Sequence, residues 1–518
     1  METIIKKIDR NKIDEDVIEE AGYILHEGGL VAFPTETVYG LGANALDEYA
    51  AGRTYAAKGR PSDNPLIVHI SHFGALERIV KEIPEKAVKL ADRFWPGPLT
   101  MIFEKNELVP YGTTGGLDTV AVRMPSDIIA QKLITSAGGY VSAPSANTSG
   151  RPSPTTAQHV MDDLAGKIDM VVDAGSVDIG VESTIVDMTE EPPMILRPGA
   201  VTKEMLEEVI GEVAVDRAAI LEDSKRAPKA PGMKYRHYAP KAQLILVEGE
   251  EKEVVRAIRQ LTGAKEKKGF KTGIITTSET ANAYPFGILK NVGTKKNESS
   301  IAKNLYRVLR EFDEEDVQYI YCESFAREGI GEAVMNRLVK AAGHRIVRAK
   351  QITDLQSYMR ILFVSDSGNC RGPMAAAQLK KKELLRAYDI DSRGMIVLFP
   401  EPANQKAEAV SMSHKITLQD FVAKPFTEED LDGDTLVLTM EESQKEKLKS
   451  DYADLEAVSD IRTLGEYIGE TGENAQVKSA YGQPLAKYGE VFEQLDVMTD
   501  KLVEKLNKEA KEYDSDWM

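Results

Sequence analysis

Cysteine is almost missing from this chain: Cys322 and Cys370 are the only two among 518 residues. Two thiols cannot build a disulfide framework, and such sparing use fits a reducing compartment. Positive charge is also in deficit, with 65 basic against 83 acidic residues and a formal charge of -18. A chain that acidic repels phosphate backbones on average, so tight nucleic-acid binding is not expected and any basic pocket must be local. No run approaches the roughly 20 apolar residues that cross a bilayer. The start, Met-Glu-Thr-Ile-Ile-Lys-Lys, lacks the apolar core of a signal peptide. The expectation is a soluble cytoplasmic protein of three or four domains, at about 150 residues each.

What the chain does have is α/β alternation. From Gly28 to about Gly211, short apolar runs alternate with helical patterns and end in Pro, Gly, Ser and Thr. They predict a mixed α/β domain, residues 1–212, whose strand ends form the site. Residues 213–240 read as a linker ending in Ala230-Pro-Gly-Met-Lys-Tyr-Arg-His-Tyr-Ala-Pro240, too rich in cations and aromatics for a mere spacer. Residues 241–350 read as a small Rossmann-like α/β unit with a parallel sheet. A third parallel α/β unit, 358–518, opens with the strand Arg360 to Val364, enters a helix from Met374 to Arg386 and closes on a long charged helix from about Leu485 to Tyr513.

Candidate site residues cluster in the first domain. Phe33-Pro-Thr35-Glu-Thr37-Val-Tyr39-Gly40-Leu-Gly42 places hydroxyls and glycines after a buried strand, where small polar groups can meet a ligand's amine or carboxylate. Lys58 and Arg60 end a helical pattern; a point charge beside a planar fork suits a triphosphate, although a solvated helix end reads the same way. Arg123 stands alone on the apolar strand Thr119-Val-Ala-Val-Arg123, so it must meet a carboxylate or phosphate. Ser145, Asn147 and Arg151 concentrate hydrogen-bonding groups at another strand end, and Ser183 and Arg197 add a hydroxyl and a cation. His69, inside an apolar strand, is either a satisfied core histidine or a ligand contact.

Taken in order, Pro34-Thr-Glu-Thr-Val-Tyr-Gly40, Lys58-x-Arg60, Asn64-Pro-Leu66, Trp95-Pro-Gly-Pro-Leu-Thr100, Ser142-Ala-Pro-Ser-Ala-Asn147, Gly180-Val-Glu-Ser-Thr184, Arg197-Pro-Gly199 and Pro231-Gly-Met-Lys-Tyr-Arg-His-Tyr-Ala-Pro240 resemble the YrdC-like threonylcarbamoyl-AMP synthase family in its long form. The resemblance spans residues 1 to 350. It implies condensation of L-threonine, bicarbonate or CO2, and ATP into L-threonylcarbamoyladenylate and pyrophosphate, for a modified adenosine of tRNA. By the same resemblance Thr35, His69, Arg123 and Ser183 contact threonine, and Lys58, Arg60, Ser145, Asn147, Arg151, Arg197 and Tyr238 hold ATP. Lys58, Arg60, Ser145 and Asn147 form the catalytic set, and Tyr235 and His237 belong to a lid. No residue is assigned to a metal; magnesium is expected only with the phosphates. The tRNA threonylcarbamoyl-transferase machinery is the expected partner.

The run Ile361-Leu-Phe-Val-Ser365-Asp-Ser-Gly-Asn-Cys370-Arg371-Gly-Pro-Met-Ala375 is similar to the phosphate loop of low-molecular-weight protein tyrosine phosphatases, in which Cys, five residues and Arg lead into a helix. Six residues before Arg371 stands Ser365, Gly372 replaces the helix-opening serine, and Ser479 stands where that family's Asp-Pro acid is expected. A serine without a neighbouring base is a poor nucleophile, so a degenerate, regulatory or docking domain is expected, with Cys370 a structural loop residue. Two other readings stay open: a bifunctional synthase with residual phosphatase activity, and a carbamoyl-transfer maturation factor. The second requires zinc-finger segments that two cysteines cannot build. A non-catalytic RNA-binding or scaffold role draws no support from the charge balance.

Overall fold

The computed structural model describes residues 2–216, 229, 238–353, 358–431, 435–452 and 460–517. Its chain divides into two units, Met1–Glu248 with Lys271–Val347, and Gly249–Phe270 with Arg348–Met518.

The first unit holds two sheets. The larger contains β1 (Ile4–Lys7), β2 (Val31–Phe33), β3 (Gly40–Asn44), β4 (Ile67–His69), β5 (Leu99–Glu104), β6 (Thr119–Arg123), β7 (Val141–Ser142), β8 (Met170–Asp173), β9 (Thr184–Asp187), β10 (Met194–Arg197) and β11 (Ala214–Val215). Their spatial order is β1-β8-β2-β3-β7-β4-β6-β5-β9-β10-β11. Parallel pairs such as β4–β6 and antiparallel pairs such as β5–β6 make the sheet mixed, as expected. Gly40 and Gly42, which the sequence places after a buried strand, lie within a strand themselves, β3, opposite Phe33 and Val31. A Cβ on Gly42 would stand 2.8 Å from the Phe33 ring, so glycine there makes room for an aromatic side chain.

Local signals set the helices. Asp47 caps Glu48–Lys58 by accepting from the Tyr49 amide, and the helix stops at Gly59, whose φ of 59° suits glycine. Asp127 caps Ile128–Ser136 through two amides and also pairs with Arg10 at 2.8 Å.

The smaller sheet contains β12 (Gln243–Glu248), β13 (Thr272–Thr276), β14 (Ile288–Asn291), β15 (Tyr319–Glu323) and β16 (Ile346–Arg348), ordered β14-β13-β15-β12-β16. Its β12–β15, β13–β15 and β13–β14 ladders are parallel, as alternation predicts. Helices Glu298–Glu314 and Ile330–Ala342 cover it, burying Leu305, Leu309, Phe312 and Leu338 with Leu244 and Ile320.

In the second unit, β17 (Arg360–Ser365), β18 (Asp389–Gly394), β19 (Thr435–Thr439) and β20 (Asp460–Thr463) form a parallel sheet ordered β18-β17-β19-β20. The helix after β17 spans Arg371–Lys381, beginning earlier and ending sooner than the apolar pattern predicts. The closing helix is Leu485–Trp517, and its Tyr488, Phe492, Leu495 and Leu502 pack in one core with Ile361, Phe363 and Leu436.

Candidate active site

Register brings the first residues together. Across three adjacent strands His69 faces Arg123, and Arg123 faces Thr100, so the three side chains share one face of the sheet. Arg123 is 4 % exposed. Its Nη2 lies 2.8 Å from Glu36 Oε1, its Nη1 donates to Thr37 Oγ1 at 3.0 Å and its Nε to the Gly97 carbonyl at 3.3 Å. The carboxylate required by a lone buried cation is therefore Glu36. His69 Nδ1 lies 3.2 Å from the Ile67 carbonyl. An Nδ1–H donor leaves Nε2 with its lone pair, and burial, then Arg123, pushes the imidazole pKa down to about 3.

These residues open on a cavity whose described lining includes Thr37, His69, Arg123 and Ser183 together with Arg60, Ser145, Asn147, Arg151, Arg197 and Tyr238. Four guanidinium groups and one carboxylate, Glu182, are in that lining. This is the local basic pocket that an acidic chain needs in order to hold a polyanion.

Two expected contacts lie elsewhere. Thr35 is buried, with Oγ1 donating to the Val38 carbonyl at 2.7 Å and 2.8 Å from Thr37 Oγ1; Thr37 and Val38 are the residues that reach the cavity from this turn. Lys58 is 2 % exposed, and its Nζ donates to the carbonyls of Ser145 and Asn147, the latter at 2.6 Å. Burial, then Arg60, pushes its pKa well below the usual lysine value. The lysine holds the shape of the Ser145–Ser149 loop instead of projecting from a solvated helix end.

Arg60 Nη2 donates to Asn64 Oδ1 at 2.7 Å and the Pro65 carbonyl at 2.9 Å, and burial lowers its pKa to about 10. Ser145 Oγ donates to Asn147 Oδ1 at 2.5 Å, while Asn147 Nδ2 donates to the carbonyls of Thr148 and Arg151 at 2.8 and 3.0 Å. Arg197 clasps Ser183, Nε to its carbonyl at 3.0 Å and Nη2 to its hydroxyl at 3.1 Å. Ser183 Oγ also lies 2.8 Å from Thr100 Oγ1. Tyr238 is 6 % exposed and stacks on Tyr306 with ring centroids 5.3 Å apart. Tyr235 and His237 lie outside the described residues.

Sequence reasoning missed the groups behind the lining. Glu182 accepts from Ser153 Oγ, from Tyr306 OH at 2.9 Å and from Arg337 Nε at 3.0 Å. Burial alone would raise its carboxyl pKa, but Arg337, then Arg197 and the Ser153 hydroxyl, hold it below the usual range. Asp163, buried, pairs with both Arg151 and Arg310, the latter at 2.9 Å. Arg337 carried no such signal: its helix segment, Val334 to Ala342, also holds Asn336 and Lys340, so one more cation there does not stand out as Arg123 does on its strand.

In the second unit Ser365 ends β17, 3 % exposed, and Cys370 immediately precedes the helix Arg371–Lys381. Arg371, also 3 % exposed, pairs with Asp366 at 2.6 Å and with Glu441, and donates to the Val477 carbonyl at 2.5 Å. The segment carrying Ser479 thus lies beside the loop through Val477. Two carboxylates converge on the cation that would meet a phosphate. Burial pushes the Cys370 thiol up to about 11, against a partial opposing effect of Arg371, so it is no thiolate at neutral pH. Gly368, at φ 68°, abuts Gly394, where a Cβ would stand 2.5 Å from the Gly394 amide nitrogen.

Among the described residues no helix is long and apolar enough to cross a membrane, and no three His, Cys, Asp or Glu residues group as metal ligands.

Three family matches cover most of the chain: "Telomere recombination" over residues 23–199, "Threonylcarbamoyl-AMP synthase, C-terminal domain" over 201–343 and "Low molecular weight phosphotyrosine protein phosphatase" over 360–512. A threonylcarbamoyl-AMP synthase of Pyrococcus abyssi is 51 % identical over 346 residues, 67 % of this chain and 99 % of the relative. One of Bacillus subtilis is 46 % identical over 66 % of this chain and 97 % of the relative. The crystal structure of P. abyssi Sua5 complexed with L-threonine matches with a TM-score of 0.64 and 51 % identity, over 67 % of this chain and 99 % of that one. With the cavity, its cations and two near-complete relatives in agreement, this chain belongs to the threonylcarbamoyl-AMP synthase family.

Proposed function

We propose that the chain joins L-threonine, bicarbonate or CO2, and ATP into L-threonylcarbamoyladenylate, releasing pyrophosphate, in the cytoplasm and in the service of threonylcarbamoyladenosine formation on tRNA. The observation that carries this reading is one cavity whose lining gathers four guanidinium groups with hydroxyls and a neutral imidazole.

In this reading the substrate amine takes up CO2 as a carbamate. A carbamate oxygen then attacks the α-phosphorus, forming the new P–O bond while the bond to the bridging β-oxygen breaks and pyrophosphate leaves. Negative charge grows on phosphate oxygens, so fixed cations and in-line positioning supply the catalysis and no enzyme nucleophile is needed. Arg60, Arg151 and Arg197 face the triphosphate, with Ser145 and Asn147 as hydrogen-bonding groups and Tyr238 as a wall. Lys58 serves by fixing the two carbonyls it binds. Arg123 receives the threonine carboxylate, Ser183 and Thr37 offer hydroxyls, and Nε2 of neutral His69 accepts from the amine or hydroxyl. Thr35 acts through Thr37. Magnesium arrives with the nucleotide, because Glu182, the only carboxylate in the described lining, is already engaged by Ser153, Tyr306 and Arg337.

The linker segment before Tyr238, with Tyr235 and His237, serves as the lid. The segments act as a catalytic domain (1–212), a lid (213–240), a small α/β domain (241–350) and a phosphatase-like domain (358–518). The last is a pseudophosphatase, because Arg371 already carries two carboxylates, and serves in regulation or in docking the transferase machinery.

Pyrophosphate release that requires both threonine and bicarbonate, with the adenylate identified by mass spectrometry, tests the assignment. Release with ATP alone, or none at all, would refute it.

A further inference from the structure

Glu182 is the anomaly of the cavity. A carboxylate among cations meant for a triphosphate should seize one of them, and Arg197 stands close enough to influence its ionisation. It is instead claimed from behind by the two helices over the second sheet. Tyr306, on Glu298–Glu314, donates its hydroxyl to the carboxylate at 2.9 Å, and Arg337, on Ile330–Ala342, donates Nε at 3.0 Å. Arg337 is completely buried, and its other donors reach the Pro198 carbonyl at 2.6 Å, the Glu182 carbonyl at 3.2 Å and Asn336 Oδ1 at 3.2 Å. One guanidinium thus spans the segment that carries Glu182 and Ser183 and the turn that follows Arg197. The approach is close: at Gly180 a Cβ would stand 2.5 Å from the Lys303 backbone on the same helix as Tyr306. Tyr306 also stacks against Tyr238, whose ring lies 5.9 Å from the Arg337 guanidinium carbon.

We infer that Arg337 and Tyr306 are positioning residues for the nucleotide: they sequester the Glu182 carboxylate so that it cannot draw Arg197 out of the phosphate-binding set. Neither residue lines the cavity, and both act through Glu182 and Tyr238. The inference rests on the synthase reading above. It extends that reading by making the second sheet's helices part of the machinery that sets ATP affinity. With Arg337 removed, Glu182 keeps its charge and turns to Arg197, a cation of the same lining; the triphosphate then meets one cation fewer and one anion more. Arg123, which receives the threonine carboxylate in that reading, is balanced by Glu36 and keeps its place.

The experiment measures steady-state pyrophosphate release by the full-length protein, with ATP and threonine varied separately, for wild type, Arg337→Met, Arg337→Met with Glu182→Gln, and Tyr306→Phe. The expected result for Arg337→Met is a KM for ATP raised about tenfold or more, with the threonine KM within about twofold. Adding Glu182→Gln should restore most of the ATP affinity, because the carboxylate no longer competes. A purely structural role would shift both constants together and would not be rescued by removing a second buried group. Equal rises in both constants, an unchanged ATP constant, or a double variant no better than the single one would each overturn the inference. Should Arg337→Met fail to fold by circular dichroism, Tyr306→Phe decides. It keeps the ring and removes the hydroxyl donor, so a severalfold rise in the ATP constant alone sustains the idea and no rise overturns it. If wild type itself releases no pyrophosphate with threonine and bicarbonate, the synthase reading is what has failed.

Discussion

Arg123 and Glu36 form a buried pair, Nη2 to Oε1 at 2.8 Å, on side chains 5 and 9 % exposed. Breaking such a pair strands the surviving charge, which costs far more than the pair gains over an apolar substitute. Glu36→Gln should therefore lower stability by about 3 kcal/mol, read from urea unfolding, and weaken threonine binding in calorimetry because Arg123 is no longer held in place. A variant as stable as wild type would mean that the cation has another counter-charge.

His69 gives the fold a pH signature. Its folded pKa of about 3 lies below the unfolded value near 6.5, so between those limits the unfolded chain binds the extra proton. The stability associated with the neutral ring is complete above pH 6.5 and is lost as pH falls towards 3. The group contributes a slope of up to about 1.4 kcal/mol per pH unit. His69→Gln should flatten the dependence of the urea midpoint between pH 6 and 4.5 by roughly one proton's worth, and a curve parallel to wild type would show that the ring does not titrate this way.

Lys58 has no slack. Lys58→Met keeps the length but releases the carbonyls of Ser145 and Asn147, and should cut adenylate formation by about 100-fold or more, in line with loss of a preorganised donor. Far-ultraviolet circular dichroism should stay unchanged. Full activity in the variant would return the loop's shape to other contacts.

In the phosphatase-like domain, wild type should not turn over p-nitrophenyl phosphate. Asp366→Asn removes one of the two carboxylates on Arg371, and vanadate affinity measured by calorimetry on the whole chain should improve by about tenfold, the scale of one charge-assisted hydrogen bond. Turnover in wild type that Ser365→Ala abolishes would overturn the pseudophosphatase reading.

Much of the architecture was legible because burial leaves a periodic trace. The runs around Leu99 to Phe103, Thr272 to Thr276 and Arg360 to Val364 became β5, β13 and β17. The need of Arg123 for a partner was legible too, since an unpaired cation on an apolar strand is costly. The destinations of side chains were not. Lys58 and Arg60 look alike in sequence, yet one lines the cavity and the other turns onto backbone carbonyls, a choice made by tertiary packing. Gly42 follows a buried strand like a residue set to approach a ligand, yet it sits in a strand where the Phe33 ring takes the space of a Cβ. Glu182 was visible within a motif, whereas Tyr306 and Arg337 belong to ordinary amphipathic helices and announce nothing locally.

The separation of Arg337 from Glu182, 155 residues along the chain, imposes an order on biogenesis. At 5–20 residues per second a ribosome needs about 8 to 30 s to travel that distance. Throughout that interval the large sheet emerges with an acid destined for its interior and without the Arg337 guanidinium that will hold it away from Arg197. The nascent pocket therefore cannot settle on the schedule of its own strands; it matures only when a helix near residue 340 leaves the exit tunnel.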